Sequence, residues 1–168
     1  PLDQVEEIVR ANEDVIVIVD EAYIDFGAWS AMELTKKYDN LLVVQTFSKS
    51  RAMAGMRIGF AAGNPELIRA LNNVKYSYNS YTMSLAAQEL GAAALRDRDY
   101  FEETRKKIIS TRERAKKRLR ELGFSFPDSM TNFIFAEHCR AEARPMFQAM
   151  KEAGIYVRYF DKPGLELP

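Results

Sequence analysis

Lys49 is the residue of this sequence whose neighbours most clearly suggest chemistry. It follows the apolar run 41–44 and lies between two hydroxyl side chains, Ser48 and Ser50. Arg57 comes eight positions later, among small residues and glycines. A lysine amine can form a covalent bond with the carbonyl group of a substrate or a cofactor. Lys49 is therefore a candidate for covalent catalysis.

Asp20 adds a carboxylate at the same predicted edge of a sheet. The continuous β-branched run 15–19 predicts a strand that is buried on both faces, and 41–47 predicts a second strand of the same kind. A connection with a short helix joins them, which favours a parallel βαβ crossover. Asp20 and Lys49 then follow the carboxyl ends of neighbouring strands, where open α/β sheets bind their ligands.

Pyridoxal phosphate is the cofactor that suits these groups. It needs an amine for its aldehyde, a carboxylate that keeps its pyridine nitrogen protonated, and donors for its phosphate. We predict that Lys49 is the Schiff-base lysine and that Asp20, buried beside an apolar strand, faces the pyridinium cation. Tyr23 is placed to donate a hydrogen bond to the phenolic oxygen of the ring. The predicted phosphate donors are two hydroxyls and one guanidinium, from Thr46, Ser48 and Arg57.

Each of these residues also has an ordinary structural explanation. A lysine after a strand is commonly a solvated loop residue, an aspartate there commonly caps a turn, and an arginine commonly forms a surface ion pair. The combined pattern favours chemistry, because hydroxyls flank the lysine and an Asp-x-x-Tyr sequence ends the preceding strand.

Two domains are predicted along the chain. Residues 1–98 are expected to be part of a large α/β domain and residues 99–168 part of a smaller α+β domain. The remaining predicted strands cover 58–62, 133–136 and 155–160. The predicted helices cover 30–38, 66–72, 83–95, 100–122 and 144–153, and 76–81 is predicted to be a connector.

Composition excludes several classes of protein. The 168 residues are 47% hydrophobic and 29% charged, as in soluble globular proteins, and their formal net charge is zero. No apolar run approaches the roughly 20 residues of a membrane span, and the lone Cys139 fits a reducing compartment. We therefore expect a cytoplasmic protein without a membrane partner. With His138 as the only histidine, no metal site is predicted.

The basic residues of the long helix 100–122 could suggest a nucleic-acid surface. Glutamates are interspersed among them, and an apolar seam runs along the helix. A solvated helix face is the preferred interpretation, and no nucleic-acid partner is predicted.

Two segments resemble the class I and II aminotransferases. Residues 19–23 read Val-Asp-Glu-Ala-Tyr, and 46–60 contain Phe-Ser-Lys followed by Ala-Gly-Met-Arg-Ile-Gly-Phe. The similarity continues in order through 131–133 and 154–158. Within this family, the sequences of these segments most resemble those of the histidinol-phosphate aminotransferases.

The resemblance implies a fold and an activity. The fold would be α/β, the pyridoxal-phosphate-dependent transferase fold type I, and the chain would supply the C-terminal half of the large mixed-sheet domain and most of the small one. The activity would be transamination of histidinol phosphate with 2-oxoglutarate, which gives imidazole acetol phosphate and glutamate in histidine biosynthesis. The small-molecule partners would be this amino donor and a 2-oxo acid, and the intact enzyme would be a homodimer.

The resemblance also implies roles for single residues. Lys49 would be the Schiff-base lysine and proton shuttle, Asp20 would lie at the pyridine nitrogen, and Tyr23 at the phenolic oxygen. Arg158 would approach the phosphate of the substrate. The residues implied at the cofactor phosphate are Thr46, Ser48 and Arg57.

Several parts of the family pattern are not found between Pro1 and Pro168. An Asn-Pro-x-Gly segment, a phosphate-binding loop and a ring-stacking aromatic residue are expected upstream, and an arginine for the substrate carboxylate is expected downstream. The chain alone is accordingly expected to be inactive. Three alternatives remain open: an aromatic aminotransferase, a threonine-phosphate decarboxylase, or a noncatalytic piece without bound cofactor.

Overall fold

The computed structural model describes residues 1–162, which form two compact units. The first unit is Pro1–Ile109 and the second begins at Ser110. The division falls inside a long helix, and the assignment of 1–98 and 99–168 to a large and a small domain stays a prediction. Each unit is described by itself.

A three-stranded mixed sheet is the centre of the first unit. After helix α1 (Leu2–Ala11), strand β1 (Val17–Asp20) pairs in parallel with β2 (Leu41–Thr46). Strand β3 (Gly59–Gly63) pairs with β2 in antiparallel fashion, which gives the order β1-β2-β3. The predicted parallel crossover is confirmed, and its helix is a 3₁₀ helix, Ala31–Lys36.

One face of the sheet carries the core of this unit. Val9 of α1 and Ala31 of the 3₁₀ helix pack against Leu41 and Val43, and all four are buried. The prediction that the run 15–19 is buried on both faces is wrong, since Val15, Ile16 and Ile18 are exposed and Ile18 exposes 61% of its surface. The reason is that the described elements cover β1 on one face only.

Three helices follow the sheet. Helix α2 (Pro65–Tyr78) begins with Pro65 at its first turn, as predicted, and the Asn64 side chain accepts a hydrogen bond from the Glu66 N–H at 2.7 Å. It runs past residue 72, so the predicted connector 76–81 is wrong in its first half. The helix continues through this stretch because 73–78 contains no glycine or proline that would end it.

Helix α3 (Leu85–Arg96) is capped by the Ser84 hydroxyl, which accepts from the Ala87 N–H at 3.1 Å. Helix α4 (Arg98–Glu121) confirms the predicted long helix. Gly123 follows it with a φ of 89°, a left-handed conformation that glycine adopts without strain.

The second unit contains little regular structure besides the end of α4. Strands β4 (Phe124–Ser125) and β5 (Glu137–His138) form an antiparallel pair, and helix α5 (Ala143–Glu152) confirms the helix predicted over 144–153. The predicted strands over 133–136 and 155–160 are wrong, because neither stretch joins a ladder within the described residues.

Hydroxyl side chains explain the first of these two differences. The Phe133 carbonyl accepts hydrogen bonds from Ser129 Oγ and Thr131 Oγ1, each at 3.0 Å. The Phe133 N–H donates to Thr131 Oγ1 at 3.2 Å. These side chains satisfy backbone groups that a strand would pair with a neighbour.

The basic surface of α4 is also different from the predicted solvated face. Lys116 exposes only 3% of its surface, and Arg112 is buried as well. Lys116 Nζ is 2.7 Å from Asp128 Oδ1 and 3.3 Å from Glu113 Oε1, and Arg112 Nε donates to Glu113 at 2.8 Å. Carboxylates thus compensate the two buried cations of this helix.

Candidate active site

The parallel register of β1 and β2 brings the segments that contain Asp20 and Lys49 to the same end of the sheet, where both strands finish. Asp20 ends β1 and is paired with Val44, while β2 continues to Thr46 and leads into the Lys49 loop. Asp20 is exposed, and its Oδ1 accepts a hydrogen bond from the Ala22 N–H at 3.0 Å. The prediction that Asp20 is buried is therefore wrong, because it lies on the uncovered side of the sheet.

Lys49 and Tyr23 are brought into contact. Lys49 Nζ lies 5.4 Å from the centroid of the Tyr23 ring, within the range of a cation–π interaction. Lys49 is exposed, and within residues 1–162 its amine forms no ion pair. An unpaired amine at the end of a strand can react with an aldehyde.

Thr46 and Ser48 form a small hydroxyl cluster ahead of Lys49. Thr46 Oγ1 lies 3.0 Å from Ser48 Oγ and 3.2 Å from the Ile58 carbonyl, and it accepts from the Ser48 N–H at 3.1 Å. Both residues are half-buried. The cluster fixes two oxygens beside the strand end, where an anionic group could receive hydrogen bonds.

Arg57 approaches the same strand end from the opposite direction. It has a left-handed φ of 53° and precedes Ile58, whose carbonyl accepts from the Phe47 N–H at 3.0 Å. Arg57 is exposed, and its Nη1 donates to the Ala54 carbonyl at 3.0 Å. This bond uses one of the five guanidinium N–H groups.

Glu21 is a site-region residue that the sequence analysis missed. It exposes 5% of its surface, and its carboxylate accepts from Ala31 N at 2.5 Å, Ser30 Oγ at 2.6 Å and Gln45 Nε2 at 2.8 Å. It thus ties the turn after β1 to β2 and to the 3₁₀ helix. Its position next to Asp20 was the only available signal, since neither spacing nor periodicity predicts its burial.

Arg158 belongs to the second unit. It is exposed, and its guanidinium carbon lies 5.4 Å from the Phe160 ring centroid. It also lines a largely apolar cavity of about 300 Å³ together with Phe135, Phe147 and Val157. Its role at a substrate phosphate stays a prediction.

Residues 1–162 contain neither a metal-binding cluster nor a membrane-spanning helix. No group of three or more histidine, cysteine, aspartate or glutamate side chains is arranged to hold a metal ion. No helix in this part of the chain has the length and apolarity needed to cross a membrane.

The chain belongs to the class I and II aminotransferases. The family model with that description matches residues 1–168. The family match and the solved structures that the chain resembles confirm the predicted fold class, the pyridoxal-phosphate-dependent transferase fold type I.

Particular members of the family are similar over nearly the whole chain. The chain is 56% identical over 160 residues to a histidinol-phosphate aminotransferase of Brachyspira hyodysenteriae and 50% identical over 159 residues to one of Clostridium acetobutylicum. Each match covers 95% of this chain and 45% of the relative, so the chain spans less than half the length of these enzymes. Among solved structures, a histidinol-phosphate aminotransferase of Sinorhizobium meliloti in complex with pyridoxal-5′-phosphate matches with a TM-score of 0.84 and 28% identity, over 99% of this chain and 46% of that chain.

Proposed function

We propose that the whole protein is a pyridoxal-phosphate-dependent aminotransferase of histidine biosynthesis. It exchanges the amino group of histidinol phosphate with 2-oxoglutarate and releases imidazole acetol phosphate and glutamate. The observation that carries the proposal is the Lys49 amine, which forms no ion pair within residues 1–162 and lies beside Tyr23 at the carboxyl ends of β1 and β2. The high identity to enzymes of that name supports the choice of substrate.

The residues at this edge fit the cofactor. When bound, pyridoxal phosphate supplies an electron sink for the α-carbon of the substrate. Lys49 holds the cofactor aldehyde at rest and moves the proton that leaves the substrate α-carbon. Asp20 presents an exposed carboxylate that holds the proton on the pyridine nitrogen. Tyr23 donates a hydrogen bond to the phenolic oxygen.

Two phosphates have to be recognised, that of the cofactor and that of the substrate. In the first unit, the phosphate of the cofactor is held by Thr46, Ser48 and Arg57, whose guanidinium has donors to spare. In the second unit, Arg158 binds the phosphate of the substrate; within residues 1–162 it has no carboxylate partner that would compete. The whole protein is proposed to act in the cytoplasm, as its composition favours, and as a homodimer, as the family resemblance implies.

Borohydride trapping of the cofactor on the whole protein tests the assignment of Lys49. Reduction in the presence of pyridoxal phosphate should attach the cofactor irreversibly to the peptide that contains Lys49, as read by mass spectrometry. Lys49→Ala should abolish this label and the visible absorbance of the bound cofactor. Lys36→Ala is the matched control, because Lys36 is an exposed lysine that pairs with Glu33.

The identity of the substrate is tested separately, with the same whole protein. Turnover of histidinol phosphate should exceed that of its dephosphorylated form, measured as glutamate formed from 2-oxoglutarate. Trapped cofactor on a lysine other than Lys49 would contradict the site, and equal turnover of both amino donors would contradict the substrate.

A further inference from the structure

Ser50 is buried although its neighbour Lys49 is exposed. It exposes 7% of its surface, and its hydroxyl donates a hydrogen bond to Asp25 Oδ2 at 2.5 Å. Ser50 belongs to the loop that follows β2, and Asp25 belongs to the turn that follows β1. The bond therefore joins the two segments that carry the proposed cofactor residues, at a point beyond the paired strands.

Asp25 has a fixed position relative to Tyr23. Tyr23 precedes the 3₁₀ helix Ile24–Phe26, which contains Asp25 and ends on the fully buried Phe26. The Phe26 N–H donates to the Tyr23 carbonyl at 3.2 Å. The Asp25 carbonyl accepts from Arg105 Nη1 at 3.4 Å. Asp25 and Tyr23 therefore lie in the same hydrogen-bonded turn.

The Lys49 loop needs contacts that hold it in place. Ala52 has a left-handed φ of 53°, which is disfavoured for a residue with a side chain, and its N–H donates to the Lys49 carbonyl at 3.1 Å. A strained backbone conformation of this kind persists only when contacts from the surrounding structure hold it. Two side chains hold this loop: Arg51, through a 3.0 Å bond from Nη1 to the Ala94 carbonyl, and Ser50, through its bond to Asp25.

We propose that Ser50 and Asp25 are a positioning pair that sets the Tyr23 phenol relative to the Lys49 amine. The proposal rests on the function proposed above, because its purpose is to align two groups with one cofactor. Ser50 and Asp25 touch neither substrate nor cofactor in this role. They act through the separation of Tyr23 and Lys49, which is 5.4 Å between ring centroid and Nζ.

A loosened pair has a spectroscopic consequence. With pyridoxal phosphate held by Lys49, a Tyr23 hydroxyl that donates to the phenolic oxygen of the cofactor would favour loss of the proton from the Lys49 nitrogen. If Tyr23 moved away, the Lys49 nitrogen of the loaded protein would keep its proton to higher pH. The pH midpoint of the visible absorbance change of the bound cofactor therefore reports the alignment.

The experiment compares variants of the whole protein loaded with pyridoxal phosphate. Ser50→Ala should raise the pH midpoint by about 0.5 unit or more, while Ser50→Thr, which keeps a hydroxyl, should restore it toward the wild-type value. Asp25→Ala should shift the midpoint as Ser50→Ala does. Asp25→Asn, whose amide oxygen still accepts from Ser50, should shift it less. Either member of the pair can be tested if a variant of the other does not fold.

Ser125→Ala is the matched control. It also removes a hydroxyl that donates to a carboxylate, at 2.8 Å to Glu137 Oε1, but at an exposed position in the second unit. Its midpoint should equal that of the wild type. Thermal unfolding of the cofactor-free variants separates alignment from stability, because a purely structural role would lower the unfolding temperature and leave the midpoint unchanged.

The outcomes separate the two proposals. A wild-type protein without any visible band after loading overturns the proposed function and this inference with it. A wild-type band together with an unchanged midpoint in Ser50→Ala overturns the positioning pair alone. Equal shifts in Asp25→Asn and Asp25→Ala also overturn it, because the effect would then come from the charge of Asp25.

Discussion

The amine of Lys49 lies over the ring of Tyr23, at 5.4 Å from its centroid. The two residues come from turns that follow different strands, and the parallel pairing of β1 with β2 makes their contact possible. The contact has two separable parts. The aromatic ring stabilises the cation, and the phenolic hydroxyl is available to a ligand.

Tyr23→Phe should separate these two parts. The ring contact with Lys49 remains and the hydroxyl is lost, so the whole protein should still bind pyridoxal phosphate. Loss of one hydrogen bond of about 1.4 kcal/mol corresponds to a roughly tenfold lower kcat. Steady-state kinetics and cofactor titration measure the two effects. Tyr23→Ala should in addition weaken cofactor binding, and equal behaviour of both variants would count against the role of the hydroxyl.

Glu21→Gln should destabilise the protein without touching the exposed site residues. The buried carboxylate accepts from Ala31, Ser30 and Gln45, and an amide nitrogen in its place would face one of these donors. We expect a loss of about 2 kcal/mol in the free energy of unfolding, measured with urea. Glu33→Gln is the control, since Glu33 is exposed and its ion pair is with the exposed Lys36. A similar loss in both variants would refute the explanation.

Gly63→Ala should disturb the pairing of β2 with β3. A Cβ at Gly63 would lie 2.8 Å from the Leu41 carbonyl oxygen, a backbone atom that can move only with its strand. The expected loss is about 2 kcal/mol in the free energy of unfolding. Gly55→Ala offers the matched comparison, because within residues 1–162 the added Cβ would lie more than 4 Å from every heavy atom outside its own stretch of backbone. Unfolding curves in which both variants match the wild type would show that β2 accommodates the methyl group.

The ion pairs at Lys116 predict a pH dependence of stability. The hydrogen bond from Lys116 holds the pKa of Asp128 below its ordinary value, and the hydrogen bonds from Arg112 and Lys116 do the same for Glu113. Such carboxyls bind fewer protons when folded than when unfolded. Their stabilisation is therefore present above the ordinary pKa of about 4 and is lost as pH falls through the lowered value.

Asp128→Asn tests this dependence. Its free energy of unfolding should fall less steeply than that of the wild type between pH 5 and the acid limit of about pH 2. Asp14→Asn is the control, because Asp14 is exposed and has no ion pair among the described residues. Parallel curves for wild type and Asp128→Asn would refute the assignment.

Arg158→Ala should weaken binding of the phosphorylated substrate. A charge-assisted hydrogen bond of about 2 kcal/mol corresponds to a roughly thirtyfold higher KM for histidinol phosphate in the whole protein. The dephosphorylated donor should be affected little. Arg144→Ala is a control from the same unit, where Arg144 already pairs with Asp161. An equal loss for both donors would remove Arg158 from the phosphate site.

The local pattern predicted some parts of the fold well for physical reasons. Strands are the expected structure for the β-branched run before Asp20 and for the apolar run before Lys49. Their parallel pairing then places Asp20 and Lys49 at the same end of the sheet. The exposure of Ile18 could not be predicted, because a continuous apolar run does not reveal how many layers cover it.

Other features depend on particular side-chain hydrogen bonds, some local and some between distant residues. The strand predicted over 133–136 is replaced by hydroxyl-to-backbone bonds from Ser129 and Thr131, and Glu21 is buried by partners up to 24 residues away. The sequence alone indicates only that Ser50 places a hydroxyl beside Lys49. Its bond to Asp25 becomes visible once β1 and β2 are paired.

The outer position of β1 has a practical consequence for the isolated chain. In the sheet of residues 1–162, β1 has a neighbour on one side only, and Ile16 and Ile18 project without cover. An open edge with unpaired N–H and C=O groups and β-branched side chains is a template onto which another extended segment can add. Preparations of these 168 residues alone should therefore self-associate as concentration rises, and a charged side chain at position 18 would act as a gatekeeper against that growth.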